Sequence, residues 1–321
     1  MISKSAYYLP TGQLSNEMLE MEFSDFSAKK IEKKVGIRNR HLVVPGETVL
    51  DMAVKAGEKV LEGYDRSKID FLLLCTQSPD YLLPGTSSLL QNRLGLSTDI
   101  GAFDFNLGCS GFVYGLAVAK GLLRGGIAKH ILLVTAETYS RYLSPVDKGN
   151  RSIFGDAAAA VILENDSLFN VGEFVLGTDG RGAENLIVKG GGGRDRANGQ
   201  SAPAFLYMNG PEIFSFTIET VPSLVKKTLE RNGLVANDID HYVFHQANKY
   251  MLQYLQQKLG IEDSRFHIEL TETGNTVSSS IPILLHDLRE RNVFHPGNRI
   301  LIAGFGVGYS YGATVLTYQQ R

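Results

Sequence analysis

An alternating α/β protein built from two similar halves is the fold this sequence predicts, and three observations carry that prediction. Phe71 to Cys75, His130 to Thr135 and Ala157 to Leu163 are nearly unbroken apolar runs, the pattern of strands buried on both faces of a sheet. Segments with apolar residues at helical spacing stand between such runs. Past residue 165 the order of strands and helices starts again, over a stretch much longer than the roughly 20–50 residues of a solenoid unit. Two units, 1–165 and 166–321, are therefore expected.

Within the first unit, Ala6 to Pro10 reads as a short strand ending in a turn, followed by helices over Asn16 to Met21 and Ala28 to Val35. The second helix carries Lys29, Lys30, Lys33 and Lys34, either a solvated face or an anion-binding one. Thr48 to Gly63 places Val49, Ala53, Val60 and Leu61 on one helical face, and the strand Phe71 to Cys75 follows. Ser87 to Leu94 reads as a helix, Phe103 begins another strand, and Val113 to Arg124 is a helix. The second unit answers element by element. Ile239 to His245 matches Ile69 to Cys75, Gly274-Asn275 before Val277 to Arg291 matches Gly108-Cys109, and Arg299 to Ala303 matches His130 to Val134. Tyr311 to Leu316 matches Gly155-Asp156-Ala157 and its apolar run, and an amphipathic helix over Phe214 to Asn232 precedes the set. Lys189 to Pro203, with glycines at 190–193, reads as a polar surface loop.

Composition narrows the function classes. The 321 residues are 43% hydrophobic and 21% charged, ordinary for a soluble globular protein. A formal net charge of -2 gives no basic field of the kind nucleic-acid binders carry. Cys75 and Cys109 are the only cysteines, too few for a disulfide framework and in keeping with a reducing compartment. No apolar run has the roughly 20 residues a membrane helix needs, and Met1 to Pro10 lacks a signal-peptide core, so a cytoplasmic protein is expected. HExxH, CxxC and similar ligand spacings are absent from the sequence, so no metal is expected.

The chemistry centres on Phe103 to Phe112. An apolar strand turns at Gly108, places Cys109 and enters a helix. Unpaired N–H groups and the helix dipole concentrate positive potential there, which is expected to lower the thiol pKa towards the reactive range. The plainer alternative is a buried, inert cysteine. Duplication adds weight to the reactive reading. The turn that gives Cys109 gives Asn275 in the second unit, and the strand end that gives Cys75 gives His245. One pocket at the pseudo-two-fold axis is thus expected to receive Cys109, His245 and Asn275, a set suited to thiol nucleophilic catalysis. A neutral imidazole and an amide would each donate a hydrogen bond to a developing oxyanion or enolate. Each has a structural alternative: His245 as a core histidine, Asn275 as a turn residue or cap, Asn248 as a cap. Cys75 reads as core.

Leu107-Gly108-Cys109-Ser110-Gly111, His245-Gln246-Ala247-Asn248, Gly274-Asn275-Thr276 and Gly304-Phe305-Gly306-Val307-Gly308 occur together with Gly36-Ile37-Arg38 and Phe154-Gly155-Asp156-Ala157-Ala158. In this order and spacing the chain resembles β-ketoacyl-acyl-carrier-protein synthase III of the thiolase superfamily, over essentially its whole length. The resemblance implies a thiolase-like five-layered αβαβα fold, a homodimer, and a decarboxylative Claisen condensation between an acyl-CoA primer and malonyl-acyl-carrier protein. Cys109 would carry the acyl group. His245 and Asn275 would hold the malonyl thioester carbonyl, the N–H groups of Cys109 and Val307 would form the oxyanion hole, and Phe305 would shield the decarboxylation site. CoA enters as substrate, and no further cofactor is implied.

Departures from the family pattern bear on substrate. The tryptophan and arginine that sandwich the CoA adenine fall near Lys30 and Lys148, and the sequence has no Trp; lysine cannot reproduce that stack. Lys34 replaces an arginine at the entrance, leaving Lys34, Arg38, Lys148, Arg151 and Asn248 as the CoA-binding set. Val307 stands where glycine is usual, and its N–H can serve if the backbone there is not left-handed. For an acidic carrier protein the dock retains Lys249 and Lys258, diluted by Tyr250, Gln256, Gln257 and Ser215. Leu83, before Pro84, matches the position from which a dimer partner caps the acyl pocket. The alternative reading keeps the fold and transfers the acyl group to a small-molecule alcohol or amine. A papain-like peptidase is excluded by the missing C-G-[SA]-C-[WY] signature, and a dinucleotide site by the missing third glycine after Gly306.

Overall fold

The computed structural model describes residues 1–165, 167–198 and 204–319. Its strands are β1 (Ile2–Tyr8), β2 (Gly12–Ser15), β3 (Asn39–Leu42), β4 (Phe71–Cys75), β5 (Gly101–Phe105), β6 (Ile131–Glu137) and β7 (Ala157–Leu163), then β8 (Phe169–Val171), β9 (Val175–Thr178), β10 (Leu186–Val188), β11 (Leu206–Met208), β12 (His241–Phe244), β13 (Arg299–Gly306) and β14 (Ser310–Tyr318). The helices are α1 (Asn16–Glu22), α2 (Ala28–Val35), α3 (Val49–Leu61), α4 (Thr86–Arg93) and α5 (Gly111–Arg124), then α6 (Lys148–Arg151), α7 (Gly193–Asn198), α8 (Gly210–Arg231), α9 (Lys249–Leu259) and α10 (Ser280–Glu290).

The two halves share one strand order. In the first, β4, β6, β7 and β1 lie side by side, β4 parallel to β6 and the other two pairings antiparallel. In the second, β12, β13, β14 and β8 repeat that order and those directions. Even the parallel partner of β4, β5, has its counterpart in a parallel bridge from Tyr242 to Phe266. Among the described residues the halves join edge to edge at Ile2 of β1 and Phe169 of β8.

Strand alternation turns this into layers. Leu72 and Leu74 pack outward with Val49, Met52, Ala53 and Val60 of α3. Leu73 points the other way, into a core it shares with Phe112 and Leu116 of α5, Ile281 and Leu285 of α10, and Val243, Ile300 and Ile302 of the second half. Tyr242 and Phe244 face outward again, against Val221, Leu224 and Val225 of α8. Helices, sheet, α5 with α10, sheet and helices make the five layers of the thiolase fold. Capping is locally encoded: Thr48 and Asp51 form a reciprocal capping box for α3, and Asn248 caps α9 by accepting the Met251 N–H.

Three local expectations are corrected. β5 is an edge strand with Ala102 and Phe103 exposed, because its second neighbour is missing within the chain. The helix expected from Val277 starts only at Ser280, after a 3-10 turn over Val277–Ser279. The stretch expected as a loop, 189–203, holds the helix α7, and 199–203 lie outside the described residues.

Candidate active site

Cys109 sits in the turn between β5 and α5, closed by the Gly111 N–H donating to the Gly108 carbonyl at 2.8 Å. Strand β13 presses on this turn where it has no side chains. A Cβ on Gly304 would stand 2.6 Å from the Cys109 carbonyl oxygen, and one on Gly306 would stand 2.8 Å from Sγ. Ser110 Oγ and Ser310 Oγ, 2.6 Å apart, tie the turn to β14. The Val307 backbone N–H reaches the thiol. Val307 is not among the non-glycine residues with positive φ, which are Val277 and Asn292, so the valine meets the backbone condition set by the sequence.

His245 follows β12, its N–H donating to the Ala303 carbonyl of β13 at 2.8 Å. Nδ1 lies 2.8 Å from Ser280 Oγ, which leaves Nε2 for the pocket. Asn275 is held to the first half: its N–H donates to the Ile153 carbonyl and its carbonyl accepts from the Gly155 N–H. Gly274 before it has φ +68°, a conformation glycine adopts freely. The Asn275 side-chain Oδ1 accepts the Val277 N–H at 2.9 Å, so the amide presents its NH₂ as donor. Val277 adopts φ +54°, a strained state for a β-branched residue, beside this amide.

Cys109, His245, Asn275, Phe305, Phe154 and Tyr139 line one chamber of about 50 Å³. The trio that the sequence places at three separate strand ends therefore meets in one space. Phe305 is buried and packs edge-on to the His245 ring, centroids 5.9 Å apart.

The electrostatics reverse one expectation. Burial pushes the Cys109 thiol up to about 12, against the lowering effect of the Val307 N–H. Desolvation of a thiolate in an apolar chamber outweighs the backbone N–H groups of Val307 and Cys109. Burial likewise pushes His245 down to about 3, so the resting pair is a neutral thiol and a neutral imidazole. Glu137, at the end of β6, is pushed up to about 8 by burial although Gln77, Ser78 and Ser278 donate to it; its charge adds to the rise at Cys109.

The remaining sequence candidates separate into groups. Arg38 and Lys249 line one groove with Lys29 and Lys33, and Arg38 pairs with Glu32 and Glu272. Lys148 pairs with Asp25 and Arg151 with Glu22, so both cations of α6 face acidic partners. Lys34 is exposed on α2. Asn248 caps α9 and also lines the chamber. Lys258 lies at the far end of α9, donating to the Ile218 carbonyl. Leu83 is 82% exposed and does not line the chamber of its own chain. Cys75 is core, its thiol donating to the Leu107 carbonyl at 3.0 Å. Sequence reasoning missed Ser280 and Tyr139; nothing in their local pattern marks them, since each matters through a partner far along the chain. Among the described residues no group of three His, Cys, Asp or Glu side chains is placed to hold a metal, and no helix is long and apolar enough to cross a membrane.

A buried Cys, His and Asn at equivalent turns of a thiolase fold define the class of condensing enzymes. Residues 103–180 match the family 3-oxoacyl-[acyl-carrier-protein] synthase III, and residues 229–318 match its C-terminal domain. The chain is 35% identical to a β-ketoacyl-[acyl-carrier-protein] synthase III of Streptomyces coelicolor, over 97% of this chain and 94% of the relative. It superposes on a solved 3-oxoacyl-(acyl-carrier-protein) synthase III with TM-score 0.94 and 42% identity, covering 99% of both chains. A synthase from Burkholderia xenovorans gives TM-score 0.90 at 34% identity, covering 99% of this chain and 93% of that one. The chain belongs to the β-ketoacyl-[acyl-carrier-protein] synthase III family, and it is a condensing acyltransferase.

Proposed function

We propose that Cys109 takes an acyl group from a CoA thioester and passes it to the carbanion formed from malonyl-acyl-carrier protein. The observation that carries this reading is the convergence of Cys109, His245 and Asn275 on one apolar chamber. In the first step the Cys109 sulfur attacks the acyl thioester carbonyl, its proton leaves with the departing CoA thiol, and the N–H groups of Cys109 and Val307 stabilise the tetrahedral oxyanion. In the second, His245 Nε2–H and the Asn275 amide hold the malonyl thioester carbonyl. Carbon dioxide leaves, the electron pair rests on that oxygen as an enolate, and its carbon attacks the acyl-Cys109 carbonyl and expels the Cys109 thiolate, which takes a proton from solvent to restore the neutral thiol. For Nε2 to donate, Nδ1 must accept the Ser280 hydroxyl proton across their 2.8 Å spacing, in place of the Val277 carbonyl that the same hydroxyl reaches at 3.1 Å. Low dielectric around these donors strengthens their effect on the enolate.

The groove formed by Lys29, Lys33, Arg38 and Lys249 supports docking of an acidic carrier, with Lys258 further along α9. Lys34, Arg38, Lys148, Arg151 and Asn248 remain the candidates for CoA, with Lys148 leaving Asp25 and Arg151 leaving Glu22 as its phosphates bind. A homodimer is supported by the open edge of β5 and the exposed Tyr81, Leu82 and Leu83; a cytoplasmic location and a boundary between halves near residue 165 complete the proposal. Intact-protein mass spectrometry after incubation with acyl-CoAs tests the first step. An acyl adduct on the wild type and none on Cys109→Ala is expected. Adducts elsewhere contradict the reading, and adducts without carbon dioxide release from malonyl-carrier protein favour a small-molecule acceptor.

A further inference from the structure

Strand β6 ends in Glu137, a fully buried carboxyl that neither reaction step uses. Its place in the duplication is informative. His130 to Val134 matches Arg299 to Ala303, so Thr135 matches Gly304 and Glu137 matches Gly306. Gly304 and Gly306 press on the Cys109 turn where any side chain would collide. Their counterparts in the first half press on the turn that follows Asn275, and both carry side chains that hold it. Thr135 Oγ1 lies 2.9 Å from Ser279 Oγ, which donates to the Thr135 carbonyl at 3.1 Å. Ser278 Oγ donates to Glu137 Oε1 at 3.3 Å.

The same carboxyl also grips the loop after β4. The Gln77 N–H donates to both of its oxygens at 3.1 Å, and the Ser78 hydroxyl donates to Oε2 at 3.1 Å. Gln77 carries this hold to the nucleophile. Its Nε2 donates to Asn106 Oδ1 at 2.9 Å, and its Oε1 accepts at 2.5 Å from the hydroxyl of Tyr139, a wall of the chamber. That Oε1 also abuts the Cys109 turn, where a Cβ on Gly108 would stand 2.5 Å away. Ser278 carries the hold to the donor, because Val277 before it is kept at φ +54° with its N–H on Asn275 Oδ1. Serving both directions takes two acceptor oxygens, which a carboxyl supplies. Without it the Gln77 N–H and two serine hydroxyls would be buried unpaired, a costly state.

We propose that Glu137 is a positioning residue for the condensation: through Ser278 and Gln77 it fixes the Asn275 amide in register with the Cys109 turn. This role rests on the condensing-enzyme reading, and adds to it a first-half residue that aims a second-half donor.

The test is carbon dioxide release from malonyl-carrier protein and Cys109 acylation by acetyl-CoA, measured on the same samples of the full chain. Ser278→Ala cuts the arm to Asn275, so it should lower carbon dioxide release about tenfold, the worth of one buried hydrogen bond, and acylation by less than about threefold. In an Asn275→Ala background the same substitution should change carbon dioxide release by less than about twofold, because the group it positions is gone. A merely structural loss would multiply through both backgrounds. Glu137→Ala cuts both arms and should lower both steps at least about tenfold. Glu137→Gln keeps the bonds from Gln77 and one serine and should recover most of that loss. The Ser278 and Asn275 pair decides the matter should Glu137→Ala fail to fold. Carbon dioxide release that Ser278→Ala leaves unchanged, or lowers only in step with acylation, overturns the proposal. So does a tenfold effect that survives in Asn275→Ala, or a Gln variant no faster than the Ala variant. No carbon dioxide release from the wild type overturns the condensing reading itself, and the proposal with it.

Discussion

The turn before α5 and the turn before α10 occupy equivalent places in the two halves, yet one presents a thiol and the other an amide. Their neighbours differ in the same way: β4 ends in Cys75, sealed in the core, and β12 leads to His245, open to the chamber. Duplication supplied one backbone scaffold twice, and substitution at matched positions divided the labour. The first half provides the atom that becomes acylated. The second provides two hydrogen-bond donors, with Asn275 anchored on the first half through Ile153 and Gly155. The halves are thus interlocked at the site although, among the described residues, their sheets meet at a single residue pair.

That division can be broken from either side. His245→Ala and Asn275→Ala should each still form the acyl-Cys109 adduct while losing condensation by about 10²–10³, the usual cost of one such donor; rapid-quench acylation and carbon dioxide release measured on the same samples separate the two steps. Ser280→Ala should lower decarboxylation by about tenfold with a smaller effect on acylation, because Ser280 acts on the carbonyl only through the His245 ring. A fall in acylation equal to that in decarboxylation would show a merely structural loss.

The pH profile sharpens the comparison further. With the thiol pushed up to about 12 and the imidazole down to about 3, neither group titrates between pH 6 and 9. Because the proposed step carries the Cys109 proton to the departing CoA thiol with no net proton change, neither group should give a limb in stopped-flow release of CoA across that window. A modest fall near pH 8 is expected as Glu137, pushed up to about 8, ionises and raises Cys109 further, whereas a preformed thiolate-imidazolium pair would give a limb of its own. The smallest effect is expected at Cys75, the position matched to His245. Cys75→Ala removes a buried sulfur and a hydrogen bond, which should cost about 1–2 kcal/mol of stability in urea unfolding and change acylation by less than about threefold.

Strands such as β4 were legible in the sequence because both faces are buried, and no alternation is needed to see them. The short strands β8 to β11 were not, since three or four residues with exposed positions give no period. The chemical trio was legible for a different reason: duplication relates Cys109 to Asn275 and Cys75 to His245, so position in one half forecasts position in the other. What the sequence concealed depends on surroundings. The direction of the Cys109 shift follows from desolvation, which local sequence does not report, and Ser280, Tyr139 and Gln77 acquire their roles only through contacts that the fold closes. Gly304 and Gly306 were visible as a motif, but their reason is the approach of β13 to the Cys109 turn.

Carbon dioxide release from malonyl-carrier protein by Cys109→Ala tests the division of labour most directly. Decarboxylation should continue without acylation, since His245 and Asn275 still hold the thioester carbonyl, and acetyl-carrier protein should accumulate. Loss of carbon dioxide release together with acylation, in a folded variant, would contradict the account.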